Sequence, residues 1–254
     1  MTRKRKVQLM ALIALVLSMI PLIYYFFLAK PSSFLSSEEI LARLNTYSPD
    51  SEATEILEII EIDDQHVYVP FISKDNKYGT SLWMWEKHKW ELVAESDNGA
   101  PKMLKINSSD PSSYKVFWNI HPDDHLSYGE LYYIRDRNYR ITEGIDHYYP
   151  RLQMKTILDF EETPYGMMDF PDEWQKVIEA SIKMEEARQP DPFFNHFSPV
   201  YHQVNLGWLP YNKEHERQNA HNSHNGGGGS WGGIDFQPVM YLNEEQLEYF
   251  NIKE

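Results

Sequence analysis

The chain has 254 residues, no cysteine, 14% aromatic residues, and 38 acidic against 24 basic side chains, for a formal charge of −14. Without cysteine it has no disulfide, no thiolate nucleophile, no iron–sulfur cluster and no thiolate zinc site. Five of the basic residues and none of the acidic ones lie in the first thirty positions; the remainder holds 19 against 38, a formal −19 that repels polyanions and excludes nucleic-acid binding.

Residues 1–6 form a basic tail, and residues 7–29 an apolar run interrupted by Gln8 and Ser18. That length suits one helical crossing of a bilayer, at roughly 20 residues. Arg3, Lys4, Arg5 and Lys6 stand before it and only Lys30 behind. The asymmetry predicts a cytoplasmic N-terminus and an extracytoplasmic remainder, with Tyr24, Tyr25, Phe26 and Phe27 in the outer aromatic belt. A cleaved signal peptide would have an apolar core of about 7–15 residues and small side chains before the cut. Here Phe27 or Pro31 would fill the position that wants a small residue, so the run reads as a retained signal-anchor. An exported chain without cysteine points to a bacterial cell envelope.

Residues 30–54 read as a juxtamembrane spacer and a helix. Ser36 with Glu39 three residues on is a capping box, Ile40, Leu41 and Leu44 give an apolar face, and Ser48–Ser51 with Pro49 ends it. From 55 to 160 the pattern is of strands: Ile56–Ile62, Val67–Ile72, Ser81–Glu86, Trp90–Glu95 and Lys102–Ile106, separated by turn residues. Asp97-Asn98-Gly99 carries the chemistry of a tight hairpin. Shifted by 49 positions, Val67–Val69 falls on Val116–Trp118, Leu82–Trp85 on Leu131–Ile134, and Trp90–Leu92 on Tyr139–Ile141. This weak repeat predicts two four-stranded units, near 67–107 and 116–160, in a duplicated antiparallel meander or small sandwich.

Residues 161–254 belong to the same domain: a turn-rich connection, a helix from about Pro171 to Arg188, an irregular aromatic stretch Phe193–Tyr211 with a short strand near Val200–Leu206, a polar and glycine-rich loop, a strand at Ile234–Leu242 and a last helix at Glu244–Phe250. The fold class is thus an N-terminal transmembrane helix carrying an extracytoplasmic, β-rich α+β domain.

The motifs that could carry chemistry are few. His121-Pro-Asp-Asp-His125 has helical metal-site spacing, but Pro122 turns it into a solvated loop. His215, His221 and His224, with Glu214 or Glu216, are the candidate ligands of a divalent metal, on a segment with no regular element to hold them. Gly226–Gly233 lacks the Lys-Ser/Thr ending of a phosphate loop and reads as a linker or lid in which Trp231 docks. Carboxylate pairs such as Asp123/Asp124 and Asp159/Glu161 are expected by chance in so acidic a chain, and no nucleophile motif is present. Trp83 and Trp85 share one strand face. With Trp118 and Trp231 they are the candidate aromatic platform for a sugar ring or peptide, against the alternative of core packing. These features predict a single-pass envelope protein that binds a glycan, a peptide or a membrane-protein partner, and no cofactor. The alternatives are an anchored hydrolase working through a His or carboxylate site, and a structural or assembly factor without a ligand.

Overall fold

The computed structural model describes residues 3–23, 31–48, 51–142, 144–188, 205–231 and 233–248. The first element is helix α1, Arg3–Ile23, with Pro21 in its last turn. Its apolar part, Val7–Ile23, rises only about 25 Å at 1.5 Å per residue, short of a roughly 30 Å hydrocarbon core. Among the described residues no helix is long and apolar enough to cross a membrane. The rest of the expected anchor, residues 24–29, lies outside the described residues.

Helix α2, Ser37–Tyr47, carries the expected capping box: the Ser36 hydroxyl accepts from Glu39 N, and Glu39 Oε2 accepts from Ser36 N at 2.9 Å. Its apolar stripe, Ile40 and Leu44, is fully buried. The strands follow in chain order as β1 Ala53–Ile56, β2 Ile60–Asp63, β3 His66–Ser73, β4 Tyr78–Glu86, β5 Lys89–Ser96, β6 Lys102–Lys105, β7 Tyr114–Asn119, β8 Tyr128–Arg135, β9 Asn138–Thr142, β10 Ile145–Tyr149, β11 Leu152–Asp159 and β12 Tyr165–Asp169. Helix α3, Asp172–Arg188, precedes β13 Asn205–Tyr211, the short helix α4 His221–His224, β14 Gly228–Ser230, β15 Asp235–Pro238 and β16 Met240–Tyr241.

These strands make three stacked sheets and a separate hairpin, β9–β10. The first sheet runs β1-β3-β4-β5-β14, with β2 also on β3; the middle one runs β12-β7-β6-β15; the third runs β11-β8-β13-β16. Strand alternation explains the stacking. In β7, Phe117 packs with Tyr68 and Leu82 of the first sheet, while Val116 and Trp118 pack with Leu131 and Trp208 of the third. The middle sheet is therefore apolar on both faces. Helix α2 covers the outer face of the first sheet over Val69, Phe71 and Trp83. Helix α3 joins the core between the middle and third sheets through Trp174 and Ile178.

Several expectations are corrected. The single strand expected at Ile56–Ile62 is two, because Leu57, which lies between them, meets Pro70 of β3. Its carbonyl accepts from Leu57 N at 3.0 Å but it has no N–H to return, so pairing lapses between β1 and β2. Asp97-Asn98-Gly99 is no hairpin: β5 and β6 belong to different sheets, and the segment crosses between them. Gly99 is needed there for closeness, since a Cβ would overlap the carbonyl oxygen of Asn119. The duplicated meander is not formed either. β3, β4 and β5 are neighbours in one sheet, whereas their counterparts β7, β8 and β9 lie in three. A short turn joins β3 to β4, but the link from β7 to β8, residues 120–127, contains Pro122 and a left-handed His125, and it carries the chain to another layer.

Of the stretch expected to be irregular, residues 193–204 lie outside the described residues, but β13 is an inner strand between β8 and β16. The expected strand at 234–242 is split around Val239 into β15 and β16, which serve different sheets. The expected final helix is a single 3-10 turn, Glu244–Gln246, and residues 249–254 lie outside the described residues. Antiparallel, β-rich and sparing in helices, the domain otherwise has the expected class.

Candidate functional site

The glycine-rich loop is not a free linker. Gly228, Gly229 and Ser230 pair with Ser96, Glu95 and Ala94 as an edge strand. A Cβ on Gly228 would stand 2.6 Å from the Glu95 carbonyl, so glycine permits the approach. Trp231 closes the strap: its backbone N–H donates to Val93 O at 2.8 Å and its indole Nε1–H to Leu92 O at 2.7 Å. Val93 is the extra residue of a β-bulge in β5, where the ladder with β4 shifts from Leu82↔Ala94 to Trp83↔Leu92.

Beneath the strap lies a polar seam between the first and middle sheets. Lys102 is buried, and its Nζ donates to Asn98 O, Asn98 Oδ1 and Ala100 O at 2.7, 2.8 and 3.1 Å. Burial pulls its pKa down to about 7. Asp97 pairs with Lys77 and accepts from Gly227 N. Outside that seam, at the C-terminal end of α2, buried Glu95 accepts from Ser48 Oγ at 2.7 Å and from Ser51 Oγ, and burial raises its pKa.

A Ser, a His and an Asp meet next to this seam, but not as a catalytic triad. Asp124 is 2% exposed; it accepts from Asn222 N and Nδ2 through Oδ1 and from Ser223 N and Oγ through Oδ2, at 2.6–2.9 Å. Ser223 Oγ accepts in turn from the backbone N–H of His121. The His121 ring points elsewhere: Nδ1 accepts from Asp123 N, leaving Nε2 to donate to Asn76 O at 2.9 Å. Among the described residues no imidazole accepts from the hydroxyl, which donates instead to the Asp124 carboxylate. The constellation fastens α4 to the turn after β7.

The three histidines proposed as metal ligands do not converge. His215, in a left-handed conformation, lies 3.2 Å from Tyr128 Oη; His221 Nε2 lies 2.9 Å from Asn219 Nδ2; the His224 ring packs 5.9 Å from Tyr241. Among the described residues no group of three or more His, Cys, Asp or Glu is placed to hold a metal ion. Their spacing describes a loop, and the loop folds each ring onto a different neighbour.

The four tryptophans also part company. Trp83 is fully buried with Nε1–H donating to Ser81 Oγ, and Trp118 is nearly so, donating to Thr163 O. Both are core, because their strand faces are covered by α2 and by the third sheet. Trp231 keeps 41% of its surface exposed, and Trp85 is half-buried, edge-on to Trp90 at 5.5 Å. What Trp83 and Trp85 do mark is the sheet face on which residues 31–34 lie. Phe34 sits edge-on to Trp90 at 4.9 Å and to Trp83 at 5.9 Å, and Trp90 Nε1–H donates to Ser32 O at 3.1 Å.

That docking leaves a half-open pocket of about 250 Å³ between residues 31–34 and the first sheet. Buried Val67 and Trp90 and half-buried Phe34 line it on the protein side; exposed Glu61, Asp63 and Asp64 line it towards solvent. Asp63 is engaged, holding His66 Nδ1 at 2.8 Å and Gln65 N at 2.7 Å. Among the described residues neither Glu61 nor Asp64 has a side-chain hydrogen bond or ion pair. Sequence reasoning missed Pro31–Phe34, Glu61, Asp64 and Trp90 as a group, since no local pattern joins a spacer to a turn thirty residues later.

Comparison with known proteins finds no family model that matches the chain, no similar curated protein and no similar solved structure. The functional reading therefore rests on the geometry.

Proposed function

We propose that the chain is a single-pass, membrane-anchored envelope protein whose outer domain binds a ligand or partner without turning it over. The observation that carries the anchor is α1. Leu12, Ile13, Leu15, Val16, Leu17, Met19 and Ile20 are each about half exposed or more, on every side of the helix. An all-apolar helix without a protein partner is at home in lipid and not in water. With residues 24–29 included, the apolar run reaches the length of a crossing. Arg3, Lys4, Arg5 and Lys6 support a cytoplasmic N-terminus. The segment that follows is docked: besides the Ser32, Phe34 and Glu95 contacts, Arg43 Nη1 donates to Trp90 O at 2.6 Å, and Asn45 exchanges two hydrogen bonds with Ala53. In this reading the domain is held against the outer leaflet and not on a flexible stalk.

Binding without catalysis is favoured because, among the described residues, the only base beside the buried Ser223 hydroxyl is the Asp124 carboxylate, which is itself held by four donors. The absence of native cysteine makes the topology easy to test. Ser109, in an exposed turn, is changed to Cys in the full chain, and intact cells are treated with a membrane-impermeant maleimide. The expected result is labelling without lysis, with the protein retained in carbonate-washed membranes. Labelling only after lysis, or release by carbonate, would overturn the reading.

A further inference from the structure

We infer that the β9–β10 hairpin is a second membrane contact, a finger whose Tyr139, Ile141 and Tyr148 lie in the headgroup region of the outer leaflet. The inference rests on the anchor reading for the presence of a bilayer, while the surface and its direction come from the fold. Tyr148 pairs with Tyr139 and Asp146 with Ile141, so these four side chains share one face of the ribbon. Tyr139, Ile141 and Tyr148 are 59%, 61% and 65% exposed. Among the described residues no other strand pairs with the hairpin. Two strands alone are marginal in water and gain stability from what their apolar face meets.

The topology shows which way the finger points. The His66 end of β3 is the one beside residues 31–34, since Val67 and Trp90 line the pocket with Pro31. Strand β7 lies over β3 in the same sense: the Phe117 ring is 4.7 Å from Tyr68, and Asn119 Nδ2 donates to Phe71 O at 3.1 Å. Tyr114 therefore starts β7 at the end where residues 31–34 dock. Phe170 packs 5.4 Å from Tyr114, and Trp174 packs 5.6 Å from Phe170 and 6.0 Å from Tyr133 of β8. At the far end Phe160 packs 6.3 Å from Trp118, and Gly129 of β8 lies against its ring. Strand β8 thus runs towards the docked segment, and Arg135 finishes it there. Asn138 pairs with Tyr149 two residues beyond the Arg135–Leu152 pair on each strand, so the hairpin prolongs the β8–β11 ribbon past the stack without a slip. Its five pairs add about 17 Å. Pro31 follows the last residue of the apolar run by two positions, at most about 7 Å of extended chain. Pro31 and the finger therefore mark the same end of the domain, the end that meets the bilayer.

A lipid surface suits this face better than a protein partner. Tyrosine is at home where its ring meets acyl chains and its hydroxyl meets water. Tyr139 Oη donates to Asp146 Oδ1 at 2.7 Å, which places the one carboxylate of the face at the level of the hydroxyl. Three apolar side chains fall far short of the roughly 20 residues a side of a specific protein interface.

The test uses the full chain in vesicles of phosphatidylethanolamine and phosphatidylglycerol. A nitrobenzoxadiazole label is placed at Ile141→Cys or, as the control, at Glu162→Cys, which is exposed in the turn after β11 at the far end. Quenching by a lipid with a headgroup nitroxide should be at least about threefold stronger at 141 than at 162. Adding Tyr139→Ser and Tyr148→Ser to the 141-labelled chain, with an unchanged melting temperature, should remove about half or more of that quenching. Equal quenching at the two positions, or quenching untouched by the serine pair, would overturn the finger. Emission at 141 that shifts to the blue with rising protein density, without nitroxide quenching, would assign the face to a second copy and overturn it too. Carbonate extraction of the same vesicles reports on the anchor. Retention without quenching at 141 sinks the finger alone; quenching in a chain that carbonate releases supports the finger and sinks the anchor; release without quenching sinks both.

Discussion

Replacing Lys102 by methionine should change how the stability of the β-rich domain depends on pH. In the unfolded chain this lysine keeps its proton to about pH 10.5; in the folded domain burial releases it near pH 7. Between those values the unfolded state binds the extra proton, so the wild type gains stability as pH rises, by up to about 1.4 kcal/mol per unit. The contribution is fully present only above the unfolded pKa and is lost as pH falls through the folded one. A methionine side chain has nearly the same reach and nothing to titrate. Between pH 7.5 and 9.5 the stability of the wild type relative to Lys102→Met should therefore rise by about 2.5 kcal/mol, from the same linkage relation. Tyrosines with raised pKa values, such as Tyr114, are common to both proteins and cancel in the difference. Urea titrations of the detergent-solubilised full chain, followed by tryptophan fluorescence at several pH values, measure it. A difference that stays constant within about 0.5 kcal/mol over that range would show that Lys102 is hydrated in the fold, and would refute the sealed seam.

Other substitutions probe the same architecture. Gly99→Ala forces a methyl onto the backbone of Asn119 and should destabilise by about 3 kcal/mol or more, whereas Gly227→Ala, with nothing within 4 Å, should stay within about 0.5 kcal/mol in the same thermal melts. Asp124→Asn removes the charge that gathers four donors from Asn222 and Ser223; a loss of about 2–4 kcal/mol is expected, with faster amide exchange across residues 221–225. Unchanged exchange there would mean that α4 is held by other contacts. Trp83→Ala should cost about 3–5 kcal/mol as a large core deletion. Trp231→Ala should leave the melting temperature within a few degrees but open residues 226–233 to protease, because it releases the strap without emptying the core.

Helix α2 is legible in the sequence because its information is local: Ser36, Glu39, Ile40 and Leu44 state cap, start and buried face within nine residues. Helix α3 is legible in the same way, from Pro171, Asp172 and the spacing of Trp174 and Ile178. The strands are visible from β-branched and aromatic runs between turn residues. Partners are not. Alternation states which face a side chain occupies and is silent on which strand lies alongside, so Leu131–Ile134 can match Leu82–Trp85 in sequence and still belong to another sheet. Asn98-Gly99 has the composition of a hairpin turn, yet its glycine answers to a backbone carbonyl twenty residues away. Gly228–Ser230 has no pattern at all, since the ladder of β5 supplies every reason for it to be a strand.

What the sequence by itself determined is the class of the molecule. An apolar run behind a basic tail, an acidic remainder without cysteine, and aromatic strands with capped helices follow from composition and short-range spacing. The tertiary structure alone decided that three sheets stack with the middle one buried on both faces. It also scattered His215, His221 and His224 onto separate neighbours, sank Trp83 and Trp118 into the core, and folded residues 31–34 back over Trp90. The physical reason is common to all of these. Burial and proximity are properties of pairs of segments, and the free energy that selects a pair comes from apolar area and hydrogen bonds shared between residues far apart in the chain.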